Sequence, residues 1–135
     1  MKDIYKAAGN IIVNRKVLVE RSKGKKYFVH PGGKIEPGET AKQALVRELK
    51  EEFSIEVKEA DLVPFDQGSA AAANNPEAIV HMEVFTVTRW VGELKPDNEV
   101  EEIFWLSSEI PQGMNVGSIM AHQTLPKLKA AGLID

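Results

Sequence analysis

Residues 33–55 read GKIEPGETAKQALVRELKEEFSI, and the fold and the chemistry of the chain are both most legible there. Thr40 followed three residues later by Gln43 makes a capping box, which predicts a helix over 40–53. Leu45, Leu49 and Phe53 recur at helical spacing and form its buried stripe, while Ala41 and Ala44 keep the flank beside it narrow. Gln43, Arg47 and Lys50 fall away from the core. Each helical residue advances the face by about 100°, so Glu48 has Glu51 and Glu52 beside it, one turn on. Like charges at this spacing repel one another. A divalent cation would offset the repulsion, and hard oxygen ligands suit Mg2+, which keeps several waters and shares substrate phosphates. Three glutamates taken alone favour the plainer reading, a solvated acidic face.

The preceding loop adds what the helix lacks. His30-Pro31-Gly32-Gly33-Lys34 contains paired glycines, which permit positive φ and close approach of a ligand to the backbone, and Pro37-Gly38 is a second turn signal. Gly33, Glu39, Arg47-Glu48, Leu49, Glu51-Glu52 and Ile55 stand at the spacing of the Nudix hydrolase pattern, which the segment resembles: Gly, five residues, Glu, seven residues, Arg-Glu, an aliphatic, any residue, Glu-Glu, any residue, Gly, aliphatic. One fixed position departs. Ser54 stands where the pattern has Gly, at the end of the helix, where a left-handed residue commonly sits. The departure removes no ligand and no catalytic group.

The resemblance implies an α/β sandwich of Nudix type, with a mixed central sheet between helices and the Nudix loop-helix. It covers essentially the whole chain, although only residues 33–55 are specific. It also implies metal-assisted hydrolysis of a nucleoside diphosphate linked to another group, with Mg2+ as cofactor and Mn2+ as a substitute. Glu51 and Glu52 are then the leading metal ligands. Glu48 is either a third ligand or the general base, and the carbonyl of Gly32 is a further candidate ligand. Arg47 orients a helix carboxylate or forms a simple surface ion pair, and Glu39 shapes the loop. Many relatives use an acidic residue outside the helix. Of the glutamates in 97–105, Glu99 is the first choice for that role and Glu102 the second, with Glu101 also open.

Substrate contacts are read from scattered residues. Arg21 and Lys34 are candidates for phosphate, His30 for the lining of a base pocket, and Asn115 for a base edge, as an asparagine in the same region is in MutT-type enzymes. Each has an ordinary structural alternative, such as a solvated charge or a turn. The expected substrate is a small nucleotide, most simply a nucleoside triphosphate or an oxidised nucleotide. ADP-ribose and nucleotide sugars are the alternatives. A catalytically silent nucleotide-binding module would be expected to have lost one of Glu48, Glu51 and Glu52, and none is lost. A plain interaction domain would leave the spacing of Gly33, Glu39 and Arg47 unexplained.

The remainder of the chain is consistent with one catalytic domain spanning 1–135. At 43% hydrophobic residues it can bury a single core. It has no cysteine, so neither a disulfide framework nor a thiol nucleophile is available. The formal charge of −3 argues against binding a nucleic acid polymer, which calls for a basic patch. The first residues, MKDIYKAAGNIIV, carry no leader pattern, and a soluble cytoplasmic protein with no membrane contact is expected. Homodimerisation is left open. Strands are expected at 4–13, 16–20, 27–30, 55–57 and 62–67, with a turn at Asn14-Arg15 and a loop over 68–76. Residues 78–91 carry apolar side chains on both faces and predict a central strand. Residues 118–131 have helical spacing that Pro126 should break or kink. Phe28, Phe85 and Trp90 are read as core.

Overall fold

The computed structural model describes residues 2–135. Its first strand, β1 (Lys2–Asn10), stops before Ile11, which hands the chain to β2 (Ile12–Val13), so the expected single strand over 4–13 is divided between two sheets. Asn14 and Arg15 both take left-handed φ, 51° and 61°, the conformation of the two-residue turn that matches strand twist. This turn returns the chain as β3 (Lys16–Ser22). Along β3 the side chains alternate between two cores. Val17 and Val19 join one cluster with Leu106, Leu125 and Leu128, and Leu18 joins the other with Leu45, Leu49 and Phe53. Glu20 follows on the Leu18 side.

After β4 (Gly32–Lys34), helix α1 (Ala41–Phe53) begins at Thr40 with the expected reciprocal capping box. The Gln43 N–H donates to Thr40 Oγ1 at 3.1 Å and the Thr40 N–H donates to Gln43 Oε1 at 3.0 Å. Leu45, Leu49 and Phe53 are fully buried. Ser54 closes the helix in the left-handed conformation, φ 57°, with its N–H on the Lys50 carbonyl. Ser54 thus does what glycine does in the family pattern.

Two strands differ from expectation. Residues 68–72 were expected in a loop, yet β5 (Leu62–Ala72) runs through them and pairs with β6 (Asn75–Val87) as far as Ala72↔Asn75. The run of small residues reflects packing: a Cβ on Gly68 would collide with the Gln123 side chain, and Ala73 lies against Gly117. Cross-strand pairing and a close neighbour outweigh the weak strand preference of Gly and Ala. Residues 27–30 and 55–57 instead form only single bridges, Glu20↔Val29, Phe28↔Val116 and Glu56↔Val91.

The mixed sheet has the order β4-β1-β6-β5, with β1 and β6 parallel. Strand β6 lies between two partners, as its apolar faces predict. A second, antiparallel sheet has the order β2-β3-β7, where β7 is Val100–Leu106. Helix α1 covers one side of the molecule. The other is covered by a π-helical turn (Met120–Thr124) that runs into α2 (Leu125–Ala130). Pro126 explains this turn, because a proline lacks the N–H and its ring crowds the carbonyl four residues back. The Leu125 N–H reaches five residues back to Met120 O, and the widened turn accommodates the ring. Phe85 is buried and Trp90 packs partly buried against the α1 core, while Phe28 joins the second core. No helix among the described residues is long and apolar enough to cross a membrane.

Candidate functional site

Arg47 organises the outer half of the site. Its Nε and Nη2 donate to the two oxygens of Glu39, each at 2.8 Å, Nη1 donates to Glu48 Oε1 at 2.8 Å, and Nη2 also reaches the Lys34 carbonyl at 3.1 Å. Glu39 in turn accepts the Glu36 N–H at 2.9 Å. The Arg47 guanidinium, and then this N–H, hold the Glu39 carboxyl down at about 2. One planar donor fork therefore ties the 34–39 loop to α1 and fixes Glu48. Glu51 lies 3.6 Å from Arg47 Nη1 and is largely exposed.

The inner half is built on the glycines. Gly32 has φ +134°, and a side chain there would run into the Ala7 carbonyl oxygen of the neighbouring strand. Its N–H donates to Glu52 Oε1 at 3.0 Å. At Gly33 the constraint is contact: a Cβ would stand 2.5 Å from the Glu48 carboxyl carbon. The two glycines thus admit the carboxylates of Glu52 and Glu48 against the backbone of β4. Burial raises Glu48 despite Arg47 beside it, and burial also raises Glu52 to about 7.

A carboxyl that sequence reading missed faces Glu52. Glu20, 2% exposed, stands against the Glu52 carboxyl. Burial first, and the Glu52 charge second, push it well above the usual carboxylate range. Its Oε1 has no hydrogen-bond partner. Strand alternation from Leu18 was the available signal, since it places an acidic residue on a core face.

Glu20 and Glu52 line a cavity of about 350 Å³. Its apolar walls include Ile4, Ala8, Val80, Met82 and Ile119, and Lys6, His30, Gly32, Gly33 and Lys34 also contribute. Lys6, likewise missed, has its ammonium pKa lowered by burial and by Lys34, against the pull of Glu20, Glu52 and Glu48. The sequence signal was a cation between Ile4-Tyr5 and Ala7-Ala8. His30 is buried and held at about 3 by that burial, with the Lys6 charge adding to it, so it is neutral. Its Nε2 lies 2.9 Å from Thr124 Oγ1, linking the glycine loop to the π-helical turn.

Other expected site residues lie outside the cavity lining. Arg21 is paired with Glu101 at 2.7 Å and Glu102 at 3.0 Å. Glu99 is in an exposed turn and receives the Lys23 N–H on its carbonyl, and Asn115 accepts the Phe28 N–H on its carbonyl. The structure therefore gathers Gly32, His30, Lys34 and Glu52 on one cavity lining, with Glu48 set against Gly33 and bonded to Arg47. It leaves Arg21, Glu99 and Asn115 apart from that group.

Among the described residues, no three His, Asp or Glu side chains already stand at metal-holding spacing. Glu48 is turned to Arg47, and Glu51 points to the exterior. The donors nonetheless fit a hard divalent cation. They are carboxylate oxygens, crowded together, and one buried oxygen is left without a partner.

A family model described as NUDIX domain matches residues 4–117. An 8-oxo-dGTP diphosphatase of Proteus vulgaris is 33% identical over 100 residues, which span 69% of this chain and 83% of that protein. A CTP pyrophosphohydrolase of Escherichia coli (strain K12) is 36% identical over 78 residues, spanning 58% of this chain and 53% of that protein. A MutT NUDIX hydrolase from Burkholderia pseudomallei superposes with a TM-score of 0.73 at 18% identity, over 96% of this chain and 98% of that one. The carboxylates set against Gly32 and Gly33 lie within the matched segment, and the chain belongs to the Nudix hydrolase family as a MutT-like member.

Proposed function

We propose that this hydrolase, acting on phosphorus anhydrides, cleaves the pyrophosphate linkage of a nucleoside triphosphate, ordinary or oxidised, with Mg2+ or in its place Mn2+. The observation that carries the reading is the position of Glu52, held on the Gly32 N–H at the wall of a cavity that has apolar walls and three lysines, Lys6, Lys25 and Lys34. Such a cavity suits a base and ribose on its apolar side and phosphates toward Lys6 and Lys34. At about 350 Å³ it lies at the small end of ligand clefts, which supports a single nucleotide over ADP-ribose or a nucleotide sugar.

Glu48, Glu51, Glu52 and the Gly32 carbonyl would hold the cation, which would neutralise phosphate charge and acidify a bound water. Arg47 keeps Glu48 oriented. A carboxylate takes the proton of the attacking water; Glu48 is the candidate base at the site, and Glu99, in its exposed turn outside the cavity lining, is the second. An O–P bond forms at the attacked phosphorus, the bridging P–O bond breaks, and a nucleoside monophosphate and pyrophosphate leave. His30, neutral and bonded to Thr124, shapes the cavity, while Asn115 and Arg21 would meet substrate only after movement of their segments. The reading also takes 1–135 as one catalytic domain acting in the cytoplasm on small nucleotides, with no nucleic acid polymer as substrate.

The test is product analysis with purified protein and Mg2+ against CTP, dGTP, 8-oxo-dGTP, ADP-ribose and UDP-glucose. Monophosphate plus pyrophosphate from a triphosphate is expected. Cleavage of ADP-ribose or the sugar nucleotide alone would overturn the substrate class, and tight nucleotide binding without turnover would overturn the activity.

A further inference from the structure

Strand β3 buries an acid where its pattern calls for an apolar side chain. Leu18, two residues earlier on the same face, is wholly enclosed, and Glu20 is 2% exposed. A carboxyl at that depth needs partners for its oxygens. The Gly32 N–H is bonded to Glu52 and also acts on the Glu20 carboxyl, yet Glu20 Oε1 has no partner. What Glu20 does meet is the Glu52 carboxyl, another acid, at the wall of the same cavity. Lys6 lines the same cavity and forms no ion pair among the described residues. Two acids pressed together, one with a bare oxygen, make poor packing and a good oxygen donor set for a hard cation.

We propose that Glu20 gives its free oxygen to the divalent cation held by Glu52, extending the metal-ligand set from helix α1 onto strand β3. This rests on the metal-dependent reading above. It adds a consequence of its own: the ion would couple the second sheet to the α1 side of the cavity, so its binding would fix the cavity wall as well as the phosphates.

Crystals of the wild-type protein soaked in Mn2+ test this directly by anomalous scattering. The expected peak lies within about 2–2.5 Å of oxygens from both Glu52 and Glu20. A peak bonded to α1 carboxylates with Glu20 still unbonded would overturn the proposal and leave the metal reading standing. No peak on α1 would overturn both. In solution, Mn2+ affinity measured by electron paramagnetic resonance should fall about tenfold or more in Glu20→Gln, a size typical of groups that support a metal site, and should fall also in Glu52→Gln. Wild-type affinity in Glu20→Gln beside a weakened Glu52→Gln would count against Glu20. If Glu20→Gln does not fold, the wild-type crystal decides.

Discussion

The two carboxylate groups flanking Glu48 are held in opposite ways. On the outer side, Glu39 has a bidentate guanidinium and a backbone N–H, and its proton affinity is depressed. On the inner side, Glu52 has one N–H and faces Glu20, and burial raises both. The outer group is complete as it stands and acts as architecture. The inner group leaves Glu20 Oε1 without a partner, and on the metal-dependent reading it gives up stability for a site. Glu48 belongs to both, fixed by Arg47 on one side and pressed against Gly33 on the other.

This contrast is most severely challenged at Glu52. Glu52→Gln should reduce turnover by several orders of magnitude while leaving the far-ultraviolet circular dichroism unchanged, since an amide can still accept the Gly32 N–H. Turnover near wild type would remove Glu52 from the metal site. Next in size is Arg47→Lys, which keeps the charge but loses the fork. A drop in kcat of about 10- to 100-fold, the range seen for groups that orient ligands, is expected. An unchanged kcat would reduce Arg47 to a surface ion pair.

The paired glycines separate the two kinds of constraint. Gly32→Ala meets backbone at positive φ and should lower the thermal midpoint markedly, whereas Gly33→Ala meets the end of a flexible side chain and should cost activity more than stability. Equal loss of stability in both, measured by calorimetry, would contradict this division.

The two groups should also respond oppositely to pH in metal-free protein. Glu52 is raised from 4.5 to about 7, so its contribution to stability is present below pH 4.5 and is lost as pH rises to about 7. Glu39 is lowered from 4.5 to about 2, so its contribution is present above pH 4.5 and is lost as pH falls to about 2. With Mg2+ bound in competition with protons, the loss on the alkaline side should flatten. Melting curves across pH in chelator and in Mg2+ check this, and identical slopes in the two would exclude the inner pair as the metal-linked group. The smallest effect concerns the end of α1. Ser54→Gly relieves a left-handed residue and should stabilise by up to about 1 kcal/mol in denaturant titrations, without changing kcat.

What was legible in the sequence was local. Thr40 and Gln43 lie three apart and cap one another, the spacing of Leu45, Leu49 and Phe53 names the buried face, and Asn14-Arg15 announces its turn, so these needed no knowledge of partners. Residues 68–72 read as loop because their composition reports intrinsic preference, while β6 and Gln123 decide their structure. Glu20 and Lys6 went unnoticed for the same reason. Each is an ordinary charged residue in its own strand and becomes unusual only when β3, β1, β4 and α1 enclose one cavity. Arg21 shows the converse, a cation that looks available for phosphate in sequence and is paired with Glu101 and Glu102 in the fold.

The most direct measurement is the Mg2+ dependence of triphosphate hydrolysis by the wild-type protein, begun in chelator and followed by release of pyrophosphate. The inner carboxylates predict no turnover without the ion and saturable recovery as Mg2+ is restored. Undiminished pyrophosphate release in chelator would contradict the assignment of these carboxylates to a metal.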